Sequence, residues 1–262
     1  MVKQAMCLTF AESVENHVGN QQIGERSQTG WSYRKLKTLS KELIQSGVNC
    51  ELVHLHSLLE NEDVPESGVL VIRNCVQDVF GENTKELFEH LKTLDWDKHY
   101  WDTRRQKVLN KRARWNLCFA NTHQNSNYES GQGTVYTFEE AKIQNMRKCI
   151  QLMMTDKRSS VIESLNAEGN YYYDMKKACG GIGMHGDTER KKVFGVNLGD
   201  TERYLVYQWY LKSERVGEKC VIQLNDGDCY IMSDKAVGHD WKKRSIHTLR
   251  HGAGLLNSNY IE

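Results

Sequence analysis

The sequence predicts an α+β fold, with helices and a little sheet first and a β-rich core after about residue 160. Three observations carry this. A chain of 262 residues with 39% apolar and 26% charged residues can bury the core of one large domain. The earlier part carries apolar residues at helical spacing. The later part is a row of short β-rich runs broken by Gly, Asp and Asn, which suggests a barrel or a jelly roll rather than alternating β/α units.

The elements follow in order. Over 33–46, Leu36, Leu39, Leu43 and Ile44 stand at helical spacing. The run Gly68-Val-Leu-Val-Ile-Arg73 reads as a short buried strand. Asn83 and Glu86 form a cap-and-box pair ahead of a helix over 84–94, with Leu87, Phe88, Leu91 and Leu94 on one face. Thr137 and Glu140 repeat that pattern before a helix carrying Ile143, Met146, Ile150 and Met153. Strands are expected at 193–196, 204–211, 220–224 and 229–232. An N-terminal α/β extension over 1–95, packed on a core domain over 96–262, is expected to form one compact unit.

Composition narrows the function. A net charge of +1 gives no global pull toward nucleic acid or acidic lipid, so any basic surface must be local. No stretch reaches the length of apolar residues that a membrane helix needs. MVKQAMCLTFAESVENH has acids and a histidine where a signal peptide has an apolar run. An intracellular monomer, in the cytoplasm or nucleus, is therefore expected. Eight cysteines without a Cys-x-x-Cys pair argue against a zinc ribbon or a thioredoxin-type site; in a reducing compartment they are small apolar core residues.

The informative stretch is Gly180-Gly-Ile-Gly-Met-His-Gly-Asp-Thr-Glu189. On a strand, residues two apart share a side, so His185 and Asp187 direct an imidazole and a carboxylate to one point. They supply two members of the 2-His-1-carboxylate triad that leaves open positions on non-haem Fe(II). Glu189 and Arg190 are either groups that orient Asp187 or a charged strand end.

Four ordered segments resemble the AlkB-like Fe(II)- and 2-oxoglutarate-dependent dioxygenases, over roughly residues 110–254. These are Asn170-Tyr-Tyr172, then Ile182-Gly-Met-His-Gly-Asp-Thr-Glu189, Gly227-Asp-Cys-Tyr-Ile-Met-Ser233 and Arg244-Ser-Ile-His-Thr-Leu-Arg250. The resemblance implies a double-stranded β-helix (jelly-roll) core with supporting helices. It implies Fe(II), 2-oxoglutarate and O2, and hydroxylation or oxidative demethylation, commonly of a nucleobase. Asn170 and Tyr172 would touch the cosubstrate. The third ligand would be His239, with His251 and then His247 as alternatives, because His239 stands only five residues before Arg244. The far carboxylate of 2-oxoglutarate needs a charge-assisted partner when buried, and Arg250 or Arg244 would provide it. If Arg250 points inward, strand alternation turns His247 and His251 outward. An acid at position 187, where halogenating relatives have a small residue, favours hydroxylation or demethylation.

The segment 96–115 interleaves Lys and Arg with Trp96, Tyr100, Trp101 and Trp115. Arg104, Arg105 and Arg114 can follow phosphates while Trp101 or Trp115 stacks on a base, so an alkylated or methylated base in single-stranded DNA or RNA is the expected substrate. A side-chain or metabolite hydroxylase, a non-catalytic nucleic-acid-binding module, and a cupin-like metal protein are the alternatives. The other histidines, His17 among them, read as packed or exposed side chains.

Overall fold

The computed structural model describes residues 2–60, 63–156, 162–176 and 181–255; Gly180, at the head of the glycine-rich stretch, lies outside them. The chain opens with β1 (Ala5–Ala11), β2 (Ser13–Glu15), β3 (Gln22–Gly24), α1 (Tyr33–Gln45), β4 (Cys50–His54) and β5 (Gly68–Ile72). Two short helices, α2 (Cys75–Asp78) and α3 (Thr84–Lys92), lead to β6 (His99–Asp102), β7 (Lys107–Asn110), β8 (Trp115–Ala120) and β9 (Val135–Thr137). After α4 (Gln144–Met154) come β10 (Asn166–Tyr172), β11 (Ile182–His185), β12 (Val193–Leu198), β13 (Arg203–Leu211), β14 (Glu214–Leu224) and β15 (Cys229–Met232). The one-turn α5 (Asp234–Val237) and β16 (Thr248–Gly254) close the described chain. Among the described residues, no helix is long and apolar enough to cross a membrane.

The predicted helices form where their caps and apolar faces direct them. Ser32 caps α1 by accepting from the Lys35 amide at 3.1 Å, and Leu36 and Leu39 are buried. Ile44 departs from expectation: it is 57% exposed at the end of α1, where the last turn rotates off the core. Asn83 caps α3 through the Glu86 amide. Thr137 and Glu140 exchange the expected reciprocal bonds, but they close a turn, and α4 starts only at Gln144.

Two mainly antiparallel sheets dominate, and helices are few. The larger runs β4-β5-β15-β12-β1-β10-β8-β9 and the smaller β11-β16-β13-β14. A boundary at 95/96 runs through the larger sheet, whose strands come from both sides of it. Strand β1 pairs with β10 on one edge and β12 on the other, so the first residues are interior to the sheet and not an extension laid on it. One face of that sheet packs on the helices through Met6, Leu8, Phe10, Phe119 and Phe194, with α1, α3 and α4 contributing Leu36, Leu91 and Ile150. The opposite face meets the smaller sheet through Val69, Val71, Leu205, Tyr207, Trp209 and Leu249. Between the sheets this second core gives way to a cavity of about 610 Å3. Alternate residues of both sheets line it: Cys7 and Thr9 on β1, Glu168, Asn170 and Tyr172 on β10, Arg203 and Leu205 on β13, His251 and Ala253 on β16.

Candidate metal centre

Strands β11 and β16 are antiparallel neighbours with His185 directly opposite His251. Opposed residues of such a pair leave the sheet on the same side, and the two imidazole centroids are 4.6 Å apart. Just past β11, Asp187 turns its carboxylate to the same point. Its Oδ1 lies 3.4 Å from Nε2 of His185 and 3.7 Å from Nε2 of His251. One donor atom from each of the three falls within 4.8 Å of the others. Two imidazoles and one carboxylate, converging in a cavity, could hold a metal ion.

The local sequence makes this convergence possible. A Cβ at Gly186 would run into the Gly238 carbonyl oxygen and lie 2.8 Å from Cδ1 of Trp241. Glycine is thus what lets the loop after α5 press against the His185–Asp187 backbone, where the Asp187 amide donates to the Val237 carbonyl at 3.0 Å. Lys235 ties that loop down by donating to Asp240 and to the His247 carbonyl, both at 2.8 Å. Nδ1 of His185 lies 2.7 Å from the Gly183 carbonyl. A carbonyl can only accept, so Nδ1 holds a proton and Nε2 is left facing Asp187 and the cavity.

Charge is arranged around the carboxylate. Arg190, itself buried, sits 3.6 Å from Oδ2 of Asp187 and bonds Glu168 and Glu189. Burial alone would raise the Asp187 carboxyl, but Arg190, the His185 hydrogen bond and His251 hold it well below the usual carboxylate range. Arg190 thereby occupies the outer oxygen and leaves Oδ1 toward the imidazoles. Burial pushes His251 down to about 4, helped by the neighbouring His185 and opposed by Asp187. Burial pulls His185 the same way, but the Asp187 hydrogen bond and charge overcome it and carry its value up. His251 is therefore neutral and Asp187 ionised near pH 7, the forms a metal binds.

No known protein-family model matches the sequence. A protein of Acanthamoeba polyphaga mimivirus, named "Uncharacterized protein R156", is 43% identical over 256 residues, which cover 97% of this chain and 96% of the viral one. The chain belongs to the family of that mimivirus protein.

The structure corrects the third ligand. His239, the first expectation, lies on the loop after α5 with Nδ1 3.8 Å from Asp234, and it does not line the cavity. His247 does not line it either. His251 takes the position because β16 enters register with β11 one residue past Arg250. Strand alternation then turns Arg250 to the far face, where its guanidinium lies 3.9 Å from the Tyr210 ring centroid. Arg244 is exposed on the turn before β16. Neither arginine reaches the cavity, which corrects both as partners for a cosubstrate. Asn170 and Tyr172 do line it.

A second buried arginine besides Arg190 lines the cavity: Arg203, at the start of β13, with 2% of its surface exposed. It stacks 4.3 Å from the Tyr172 ring centroid, its Nη1 donates to Asn197 at 3.4 Å, and its buried Nε has no hydrogen-bond partner. Tyr230 and Cys7 flank it, their hydroxyl and thiol 3.5 Å apart. No motif marks Arg203 in the sequence; only the two-residue alternation of β13 carries a signal, and that signal is apolar. His17, read as a lone histidine, also lines the cavity. Of the residues expected to grip substrate, Arg105 and Arg114 line a second cavity beside the first. Trp115 is stacked on Tyr173 with centroids 4.2 Å apart, so its face is not free for a base. Trp101 and Arg104 line neither cavity.

Proposed function

We propose that this protein is an Fe(II)- and 2-oxoglutarate-dependent dioxygenase on a double-stranded β-helix, akin to the AlkB-like enzymes, that hydroxylates or oxidatively demethylates its substrate. The observation that carries this is one cavity holding both His185, Asp187 and His251 and a buried arginine with an unpartnered donor, Arg203. The sheet pattern supports it. From β10 onward, β10, β12 and β15 fall in the larger sheet and β11, β13, β14 and β16 in the smaller, the alternation by which a jelly roll wraps two sheets around a site. Strand β1 fills the remaining place between β10 and β12.

Bound Fe(II) and 2-oxoglutarate would supply oxidative decarboxylation to succinate and an oxygen atom for the substrate. The chain's own residues do the rest. His185, Asp187 and His251 would hold the metal, and Arg190 fixes the Asp187 carboxylate so that it does not rotate. Arg203 would be the partner of the cosubstrate's far carboxylate, an acceptor for the donor that the chain leaves unpartnered. Asn170 and Tyr172 flank that path. Ile182, Val193, Leu205 and Met232 line the interior with apolar surface and keep water from the reacting atoms. The exposed members of the lining, Val18, Gly19, Thr188 and Lys242, mark the mouth.

The test is Fe(II) binding under anaerobic conditions, followed by conversion of 2-oxoglutarate to succinate in air. Wild type and His239→Ala should bind Fe(II) and turn over; His251→Ala should do neither. A wild-type protein that binds no Fe(II) and leaves 2-oxoglutarate intact would end this reading.

A further inference from the structure

Beside the metal cavity lies a second of about 560 Å3, opening on the hairpin of β6 and β7 and on the segment that follows it. Arg105, Lys111, Arg112 and Arg114 line it, and no carboxylate does. The two cavities share His17 and Asn116 as lining residues, so they adjoin. Arg114 makes the connection explicit: its Nε donates to Oδ1 of Asn170 at 2.6 Å, and Asn170 lines the metal cavity. His17 packs against Tyr100 at the boundary, with centroids 3.9 Å apart and the rings tilted by 33°.

Four cations facing one space repel one another unless anions lie among them. Arg105 has Asp102 at 3.6 Å, on its exposed side. Lys111 donates to the neutral Asn116 side chain; burial, the largest influence on it, brings its ammonium down to about 8 against the opposing pull of Asp97 and Glu168. Among the described residues, no carboxylate pairs with Arg112 or Arg114. In a chain of net charge +1, this concentration is local.

We propose that this groove binds a phosphate group of the substrate, so that the oxidised substrate is a phosphate ester whose reacting group enters the adjoining metal cavity. A phosphate offers three strong acceptors to planar arginine forks and carries the double charge that cations so grouped require. The assignment deepens the oxygenase reading and rests on it only for the word oxidised; the anion site stands or falls separately.

The test uses the full chain without added metal. Inorganic phosphate, a nucleoside monophosphate and a short single-stranded oligonucleotide are titrated by calorimetry at two salt concentrations, against wild type and an Arg112→Gln/Arg114→Gln variant. Wild type should bind inorganic phosphate, and the variant should lose about tenfold per arginine. An Arg112→Lys/Arg114→Lys variant, which keeps charge without the fork, should recover part of it. An oligonucleotide that binds more tightly than the monophosphate, with a salt slope of several ions released, identifies a polymer; equal affinities identify a small phosphorylated molecule. Absence of binding by all three probes, or equal binding by wild type and a folded glutamine variant, overturns the proposal. Fe(II) affinity, measured on the same proteins, should be the same in both; phosphate binding without Fe(II) binding would sink the oxygenase and leave the groove.

Discussion

Arg203 and His251 show how much a single buried group depends on what enters beside it. Arg203 presents a donor that the folded chain does not satisfy, a state that costs free energy until a ligand supplies an acceptor. Arg203→Gln should therefore raise the KM for 2-oxoglutarate by one to two orders of magnitude (about tenfold per 1.4 kcal/mol), with Fe(II) affinity unchanged; an unchanged KM would remove Arg203 from the cosubstrate path. His251 sets a pH dependence of the metal-free fold. Folded, it takes up a proton only near pH 4; unfolded, it does so near 6.5. The unfolded chain thus binds more protons between these values, and stability rises with pH from about 4 to 6.5 and is level above. His17, lowered to about 4 chiefly by burial, and the depressed Asp187 act in the same sense, while the raised His185 opposes them. Urea midpoints should fall on acidification below pH 6.5, and His251→Phe should flatten the fall. A wild-type profile level from pH 7 to 4.5 would be incompatible with a neutral, buried His251. His185 and Asp187 were legible in the sequence because their convergence is local, two residues on one strand. His251 was ambiguous because Arg250 and His251 are both polar, and alternation alone does not say which faces inward.

At the scale of elements, the convergence of His185, Asp187 and His251 depends on the contact between the loop after α5 and the end of β11. Gly186→Ala should separate them and weaken Fe(II) binding more than it lowers the melting temperature, since the clash falls on Gly238 and Trp241 at the site. Metal affinity preserved in that variant would show that the loop yields without moving Asp187. Most elements were legible where the pattern was strong: caps at Asn83 and buried runs such as Val69–Ile72 act within a few residues of chain. The turn at 138–143 was not, because a capping box is the same pair of hydrogen bonds whether or not a helix continues. Strand β1 was also missed as a strand. Its residues are buried on both faces, so the polar-apolar alternation that marks a half-exposed strand is absent.

For the whole molecule, the small sheet and the cavity depend on the large sheet being complete, and the large sheet depends on its first strand. Nothing local in Ala5–Ala11 identifies its partners, which come more than 150 residues later in β10 and β12. That is why the division at 95/96 looked natural in sequence and is absent in space. It also means that a fragment ending before β10 should not fold: residues 1–162 should give no cooperative melting transition, and a sharp one would show that the first part is independent. The central position of β1 has a consequence for synthesis as well. As the chain leaves the ribosome, this apolar strand emerges long before β10 and β12 and must remain unpaired until the partners of both its edges have followed. Its neighbours arrive in the order β10, then β12, so one edge is covered before the other. Pairings of such long range are the kind that slow folding, and a chaperone able to shield these seven residues would serve the chain better than one acting on the finished core.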